Sequence, residues 1–412
     1  MKLVTKRYDV AVCGAGIAGI AAAIAAARHG MSAVLIEKQC IIGGLATSGL
    51  INIYLPLCDG YGHKTSGGLN EEMIRRCVEY GPFDLPDNWG GPAGGNTGVT
   101  ITAAKRFRCG FSPAGFTLTL DKMLKEADVD LWLDTCICDV ETSGGKVTAI
   151  EVANNSGLVR IEAGCFVDAT GSASVVRFAG GKVKFEDNYV TPWLFDVSAA
   201  PTKYIFSGGT NLRRIGKVEE NTRFGICDSG KRVTQFVRAS WECLRNVYDA
   251  VPAASRRQEY PLQLPAMPQL RKIARIESLR DLGDEDISKH FVDSVGVVSD
   301  WRRPNPVWET PYRSLLPSGT RGVITAGRCI GAYGLAWEIF RVIPAAAITG
   351  EAAGVAAALA VKAKCDPAEL AVDDVRAELL ANGGILDAKP EYGVDPASGE
   401  AKLGKVTVNP ED

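Results

Sequence analysis

The chain has 412 residues, of which 46% are hydrophobic and 23% are charged. This length and composition are typical of globular proteins with about two or three domains, or with one large domain that carries an insertion. Its 46 Lys and Arg residues are balanced by 48 Asp and Glu residues, so no excess of positive charge is left to hold a polyanion, and we expect no nucleic-acid partner.

The first predicted elements form a strand, a glycine-rich turn and a helix. Residues 8–13 are an apolar run that predicts a buried strand, and an alanine-rich segment after them predicts a helix. Between the two, "GAGIAG" places glycines where a dinucleotide-binding turn needs them. Gly14 permits the tight turn, Gly16 lets the main chain approach a pyrophosphate, and Gly19 lets helix and strand pack closely. The N–H groups at the start of the helix would then meet the phosphates.

The next predicted strand, "SAVLIEK", ends at Glu37, which lies 23 residues beyond Gly14 and can accept hydrogen bonds from ribose hydroxyls. Lys38 follows it as a second cofactor-binding candidate. Both NAD and FAD satisfy this motif. Gly43 and Gly44, in "KQCIIGGLATSGLI", form a loop that can lie along the rest of an extended dinucleotide.

A later apolar strand ends in "CFVDATGSASVV" at residues 165–176. Asp168, Thr170 and Gly171 therefore lie at the end of a strand, where open α/β sheets place ligands, although a simple turn is the alternative. The last predicted strand, "GVITAG", leads into Gly327 and Arg328, which are further cofactor-binding candidates.

These segments, in this order, resemble the FAD-dependent oxidoreductases that are distantly related to the fumarate reductase and succinate dehydrogenase flavoproteins. The resemblance also rests on "GVITAGRCIGAYGLAWEIFRVIPAAAITGEAAGVAAALA" at 322–360, and it covers most of residues 1–365. It implies FAD as the cofactor and an α/β fold. That fold is a Rossmann-like FAD-binding domain of the glutathione-reductase type, assembled from discontinuous segments, with an inserted α+β substrate domain. Ser172 departs from the family, where an aspartate commonly follows "DATG".

Pattern and resemblance together predict the division of the chain into domains. The FAD-binding domain is assigned to 1–55, 110–185 and 305–365, the substrate domain to 56–109 and 186–304, and a C-terminal helix with a loosely ordered tail to 366–412. Asp366 is the predicted cap of that helix.

A reduced flavin carries negative charge near N1 and C2=O, so the protein must supply positive potential at that edge. In relatives the start of the last long helix does so. The resemblance therefore implies Arg341 and Ala345 in this role, with Pro344 in the first turn. The alternative for Arg341 is an ion pair with Glu338.

Three further residues are catalytic candidates. His63 lies in the glycine-rich stretch "LCDGYGHKTSGG" beside Asp59, and the alternative is an ordinary exposed turn. Arg275 follows Arg271 by four residues, so the two can share a helix face and clamp an anionic substrate, or simply bridge to acids. Tyr333, with Trp337, can form a platform over the flavin, or both can belong to the core.

Twelve cysteines are scattered without CxxC or Cys/His ligand spacing, which predicts reduced thiols, a cytoplasmic location and no metal site. The family that the chain resembles includes members whose flavin is covalently attached, often through a histidine in the loop after the second strand. The corresponding loop after Glu37 has no histidine here, and we expect Cys40 in it to be a buried thiol, so the resemblance implies a flavin held without a covalent bond. The run "VIPAAAITGEAAGVAAALAV" contains a proline and Glu351, which favours a buried helix over a membrane span.

The predicted function is FAD-dependent hydride transfer between flavin N5 and a small organic substrate, such as the CH–OH group of a carbohydrate or polyol. The alternatives are an electron-transfer flavoprotein subunit that acts on a protein partner, and a reductase of an activated alkene. An NAD(P)H-dependent reductase needs a second fingerprint, and neither "GGPAGGNTG" at 90–98 nor "GRCIGAYG" at 327–334 has the required context. The sequence leaves open the electron acceptor, the direction of reaction and whether the chain forms a homo-oligomer.

Overall fold

The computed structural model describes residues 4–85, 108–198, 210–215 and 223–393. The stretch 90–98 lies outside these residues. The strands are β1 (Val4–Cys13), β2 (Ala33–Ile36), β3 (Ile53–Tyr54), β4 (Cys109–Gly110), β5 (Asp130–Trp132), β6 (Cys136–Ser143), β7 (Lys146–Asn154), β8 (Gly157–Asp168), β9 (Val183–Phe185), β10 (Asn188–Tyr189), β11 (Trp193–Val197), β12 (Thr210–Arg214), β13 (Arg223–Gly225), β14 (Tyr260–Gln263), β15 (Ala274–Ile276), β16 (Ser294–Ser299), β17 (Val307–Pro311) and β18 (Val323–Thr325). The α-helices are α1 (Ile17–Arg28), α2 (Gly68–Arg76), α3 (Pro113–Glu126), α4 (Ser174–Phe178), α5 (Gly230–Asp249), α6 (Gly334–Phe340), α7 (Ile343–Ala363) and α8 (Val372–Ala381).

The main sheet has the strand order β5-β2-β1-β8-β7-β6, and β18 also pairs with β8. β5, β2, β1, β8 and β18 run parallel, whereas β7 and β6 form an antiparallel extension of β8. The start of β8 pairs with β7, and its last residues, 166–168, pair with β18. This mixed sheet is the expected Rossmann-like arrangement.

Helices α1 and α7 pack against each other through small residues. A Cβ atom at Gly350 would lie 2.2 Å from the carbonyl oxygen of Ala18, and one at Gly354 would lie 2.2 Å from that of Ala22, so only glycine permits this approach. The contacts advance in the same direction along both helices. The two helices are therefore parallel, and their N-termini point toward the same end of the sheet.

Helix α7 is the alanine-rich segment whose burial the sequence predicted. Among the described residues it is the one helix that is long and apolar enough to cross a membrane, and 78% of its most apolar stretch is buried inside the protein. Burial against α1 and the sheet accounts for its composition, because a helix that is apolar on all sides needs protein or lipid around it.

The main hydrophobic core lies on the side of the sheet that α1 and α7 cover. It also contains Met73 and Ile74 of α2 and Val295 and Val298 of β16. These side chains come from stretches that the sequence assigned to the substrate domain, and they pack in the same hydrophobic cluster as α1 and α7. The division of the chain into domains stays a prediction.

A smaller sheet, β12-β11-β14, is built from residues between 193 and 263. Phe195 and Leu212 on one of its faces pack against Leu50, which follows β2 in the chain. The Gln269 side chain accepts a hydrogen bond from the main-chain N of Trp193 (2.8 Å) and donates one to the carbonyl of Gly49 (2.6 Å). The small sheet is thereby attached to the loop of Gly43 and Gly44.

Two local predictions are wrong. The segment around Arg271 and Arg275 is not helical, because residues 274–276 form β15 and pair with β9. The C-terminal segment is not loose throughout, since the hydroxyl of Tyr392 donates to the carbonyl of Lys64 (2.9 Å). Asp366 does form a capping box, but on a short 3-10 turn that precedes α8. Residues 394–412 lie outside the described part of the chain.

Candidate functional site

Four parallel strands end in one row at the carboxyl edge of the main sheet. Cys13 of β1 pairs with Ile36 of β2 and Asp168 of β8, and Asp168 pairs with Thr325 of β18. Each strand is followed directly by one of the predicted cofactor-binding stretches. All of these stretches therefore lie at the edge where open α/β sheets place their ligands.

The glycine turn after β1 is shaped by contacts that exclude side chains. Gly14 has φ +96°, and a Cβ atom there would lie 2.7 Å from the carbonyl oxygen of Ala169. A Cβ atom at Gly19 would lie 1.8 Å from the carbonyl oxygen of Gly14. At Gly16, by contrast, a Cβ atom would meet none of the described residues within 4 Å, and none of their side chains caps the start of α1. This open, uncapped helix N-terminus fits a pyrophosphate.

Glu37 holds the glycine turn from the neighbouring strand. Its carboxylate accepts hydrogen bonds from the main-chain N of Ala15 (2.8 Å) and of Gln39 (3.0 Å). Each oxygen keeps a further lone pair that a ribose hydroxyl can reach. Lys38, next along the chain, is exposed.

The loop of Gly43 and Gly44 meets the glycine turn main chain to main chain. The N of Gly43 donates to the carbonyl of Ala15 (2.7 Å), and a Cβ atom at Gly44 would lie 3.2 Å from Cα of Gly16. Cys40 in the same loop is exposed, so the prediction of a buried thiol is wrong. All twelve cysteines are free thiols.

Asp168 is fully buried, and its carboxylate is used within its own turn. It accepts hydrogen bonds from the hydroxyl of Thr170 (2.7 Å) and from the main-chain N of Val175 (2.8 Å) and Val176 (3.1 Å) at the start of α4. Burial raises its pKa above the usual range, which these hydrogen bonds only partly oppose. Asp168 therefore shapes the loop of Thr170 and Gly171 rather than facing out of it. The Ser172 hydroxyl hydrogen-bonds that of Ser174 (2.8 Å).

Gly327 joins the end of β18 to the helices. It has φ +72°, its N donates to the Thr349 hydroxyl of α7 (3.0 Å), and a Cβ atom on it would lie 2.9 Å from Cβ of Ala18. The same hydroxyl donates to the carbonyl of Ala345, a fully buried residue in the first turn of α7. These contacts fix the N-terminus of α7 beside that of α1.

Arg341 lies at the junction of α6 and α7. It forms the ion pair with Glu338 that was the alternative to its predicted role at the flavin. Its Nη2 is 2.6 Å from Glu338, whose other oxygen is 2.9 Å from Nζ of Lys272. Although burial opposes it, the charges of these two cations hold the pKa of Glu338 down at about 2. The positive charge of Arg341 is thus largely compensated within the protein.

His63 forms a pair with the buried carboxylate of Asp59. Its Nδ1 lies 2.7 Å from one Asp59 oxygen, and the main-chain N of His63 donates to the other (3.0 Å). This hydrogen bond raises the pKa of His63 above its usual value, with burial acting in the opposite direction. Gly393 of the C-terminal segment also donates to Asp59 (2.8 Å), a long-range contact that no sequence pattern signals.

Tyr333 and Arg275 are brought together, but each has an acid partner. The Tyr333 hydroxyl donates to Glu285 (2.5 Å), and Arg275 pairs with Asp281 (2.6 Å) while its guanidinium lies 5.5 Å from the centre of the Tyr333 ring. Trp337 is fully buried, with its indole N donating to the carbonyl of Arg328. Trp337 is therefore a core residue and not a platform.

One group of side chains in the described residues has the composition of a metal site, namely His290, Glu309 and Asp387. Its oxygens already have partners, however. Glu309 accepts from the main-chain N of Ala388 (2.8 Å), and both oxygens of Asp387 are 3.0 Å from Arg376. These contacts hold the C-terminal segment against β17.

Comparison with known proteins gives a family match over most of the chain. The model of the family described as FAD dependent oxidoreductase matches residues 9–191 and 202–379. The chain is 29% identical over 203 residues to NADH:fumarate oxidoreductase of Klebsiella pneumoniae, an alignment that covers 42% of the chain and 22% of that protein. It is 28% identical over 183 residues to digeranylgeranylglycerophospholipid reductase of Picrophilus torridus, with 42% of each chain covered. The matched part is thus less than half of either relative.

Solved structures of similar fold include a geranylgeranyl bacteriochlorophyll reductase-like protein of Thermoplasma acidophilum. It has 16% identity and a TM-score of 0.46, and the alignment covers 92% of this chain and 85% of that one. Sdh1 of Mycobacterium smegmatis, in complex with UQ1, has 15% identity and a TM-score of 0.43, with 92% and 73% covered. Similarity at this level does not bear on the substrate.

Proposed function

The chain belongs to the family of FAD-dependent oxidoreductases, and from that premise we propose that it moves a hydride between a small organic substrate and FAD bound at the carboxyl edge of the main sheet, with His63 moving the accompanying proton. Enzymes of this family have FAD as their cofactor and use a small-molecule substrate and an electron acceptor. When bound, FAD supplies the hydride chemistry at flavin N5.

The residues at the sheet edge would each contact a different part of FAD. The open N-terminus of α1 at Gly16 would receive the pyrophosphate, and Glu37 would accept the ribose hydroxyls. Thr170, Gly171 and Gly327 follow the strands on the other side of β1, so they would line the part of the cofactor that leads to the flavin. Lys38, Gly43 and Gly44 would border the adenosine side.

The observation that carries the proton-transfer role is the 2.7 Å contact between Nδ1 of His63 and the carboxylate of Asp59. A carboxylate bound to Nδ1 keeps the proton on that nitrogen, so Nε2 becomes the site where a proton is taken up or released. Asp59 is buried with 1% of its surface exposed, and three main-chain N–H groups also hold it, from Tyr61, His63 and Gly393. The imidazole is therefore fixed in orientation, as general acid–base catalysis requires.

The His63 loop is connected to the start of α7 through one other loop. The main-chain N of Asn305 donates to the carbonyl of Asp59 (2.8 Å), and the indole N of Trp301, in the same β16–β17 connection, donates to the carbonyl of Glu338 (2.9 Å). The Arg341 guanidinium lies 5.7 Å from the centre of the Trp301 ring. This chain of contacts supports a position for His63 on the flavin side of the site.

Two substrate classes remain candidates. Oxidation of the CH–OH group of a carbohydrate or polyol requires a base for the hydroxyl proton, and reduction of an activated alkene requires an acid that protonates carbon. A histidine with a raised pKa can serve either purpose. The similarity to an enzyme named for fumarate, which contains an activated C=C bond, favours the alkene as the second candidate. An electron-transfer subunit acting on a protein partner is the remaining alternative.

The test is anaerobic spectroscopy of the purified holoprotein. Sugars, polyols and amines are added to the oxidised protein, and enoates including fumarate are added to protein reduced beforehand. We expect one class of small molecule to change the flavin absorbance within seconds. The proposal would be overturned if the purified protein bound no FAD even after FAD was added, or if its flavin reacted only with a protein partner. A cytoplasmic location and a homo-oligomeric state stay predictions.

A further inference from the structure

Arg328 differs from Arg341 in having no acidic partner among the residues that the structure describes. Its Nε donates to the carbonyl of Gly171 (2.8 Å) and its Nη1 donates to the carbonyl of Leu270 (2.7 Å). Within the residues that the structure describes, no carboxylate forms an ion pair with it. After burial, the neighbours that affect its pKa are the Cys329 thiol, which raises it, and Arg341, another cation, which lowers it. Carbonyl oxygens, and not a carboxylate, are therefore the partners of its charge among the described residues.

Protein surrounds most of the Arg328 side chain, and a smaller part of its surface is exposed to solvent. Burial lowers its pKa to about 10, so the guanidinium still carries its charge at neutral pH. A guanidinium has five N–H donors, and the two named contacts use two of them. An enclosed cation with donors to spare is costly unless an anion faces it.

Arg328 is also placed where such an anion is expected. It follows Gly327, which contacts Ala18 at the start of α1, and it reaches across to Gly171 after β8. A Cβ atom at Gly171 would lie 2.6 Å from Nε of Arg328, so the guanidinium lies directly against that glycine. Adenosine binding at Glu37 is on the β2 side, whereas Arg328 is at β8 and β18, the opposite side of β1.

We propose that Arg328, and not Arg341, supplies the positive potential that stabilises reduced FAD in this protein. The inference rests on the proposed FAD-dependent hydride transfer. Two-electron reduction with uptake of one proton adds one negative charge to the flavin. A cation without an acidic partner attracts that added negative charge. The Arg341–Glu338 pair attracts it only weakly, because the two charges of the pair nearly cancel. Arg328 thus favours the reduced cofactor over the oxidised one.

The experiment measures the midpoint potential and the FAD dissociation constant of the holoprotein and three variants. Arg328→Gln should bind reduced FAD at least tenfold more weakly relative to oxidised FAD, which for a two-electron couple lowers the potential by about 30 mV. Arg328→Lys keeps the charge and should stay close to the parent potential. Arg341→Gln, the matched control, should shift the potential less than Arg328→Gln does.

A fourth variant tests the charge within one protein, in case Arg328→Gln does not fold. Arg328→His should match the parent potential at pH 5, where imidazole is charged, and fall below it at pH 9. An Arg328→Gln potential equal to that of the parent, equal weakening of oxidised and reduced FAD, or an Arg328→His difference independent of pH would each overturn the proposal. A parent protein that binds no FAD would instead overturn the proposed function.

Discussion

In the proposed cofactor region, at the carboxyl edge of the main sheet, main-chain atoms predominate, whereas in the proposed catalytic region His63, Tyr333 and Arg341 each have an acidic side chain as partner. The first region depends on glycines that let main chains approach, as at Gly14 and Gly19. The second depends on which carboxylate lies beside each cation or ring. The cofactor region should therefore respond to added volume, and the catalytic region to removed charge.

The largest expected effect is on His63. His63→Gln removes the proposed proton carrier, and general acid–base catalysis contributes about 10²–10⁴-fold, so flavin reduction by substrate should slow by that factor. FAD affinity should stay at the parent value because the two regions are separate. Stopped-flow spectroscopy measures the rate, and His29→Gln, at the end of α1, is the control. A parent-like rate would remove His63 from the mechanism.

The next effect tests volume in the cofactor region. Gly19→Ala places Cβ against the carbonyl of Gly14 and should destabilise even the FAD-free protein by about 1–3 kcal/mol or more. Gly16→Ala meets open space, so it should leave the FAD-free protein unchanged and weaken only FAD binding. Denaturant unfolding with and without FAD separates the two. Equal destabilisation of both FAD-free variants would contradict the role given to Gly16.

Glu37 belongs to both kinds of region, since it is a charged side chain whose partners are main-chain N–H groups. Glu37→Ala should weaken FAD binding by ~1.5–3 kcal/mol, typical of hydrogen bonds to a charged group. The rate of flavin reduction in the retained holoprotein should not change. Calorimetric titration of FAD gives the affinity, with the half-buried residue Glu378 on α8 mutated to Ala as control. Unchanged affinity would leave Glu37 as a support for the turn alone.

The smallest expected effect is a shift in pH dependence. Asp59→Asn keeps the size of the side chain but removes the charge that raises the pKa of His63, so the pH profile of flavin reduction should move to lower pH. A raised histidine pKa contributes stability below the pKa of the unfolded state, near 6.5, and that stability is lost as pH rises through the folded pKa. The stability difference between parent and variant should therefore shrink from pH 5 to pH 8.

The elements that the sequence predicted are those whose signals are local. The β1–α1–β2 unit is encoded by the spacing of three glycines and an acid, and the start of α7 by Pro344 in its first turn. The helix predicted for the segment 271–280 does not form. Pairing of β15 with β9, about 90 residues earlier, overrides the helical preference of its side chains.

The candidate site shows the same division. Asp59 is four residues from His63, so their pairing was within reach of the sequence. Tyr333 and Glu285 meet only after the chain has folded, and so do Lys272 and Glu338. No periodicity indicates such pairs, because the two members of each pair lie on segments that are far apart in the chain.

The bonds from Tyr392 to the carbonyl of Lys64 and from Gly393 to Asp59 span more than 300 positions of the chain. During synthesis, at about 5–20 residues per second, the His63 loop emerges from the ribosome roughly 15–65 s before residue 393 is added. Until then Asp59 lacks one of the N–H groups that hold it. The order of translation thus delays completion of the proposed proton-transfer loop, because residue 393 is added only after every strand of the main sheet has been made.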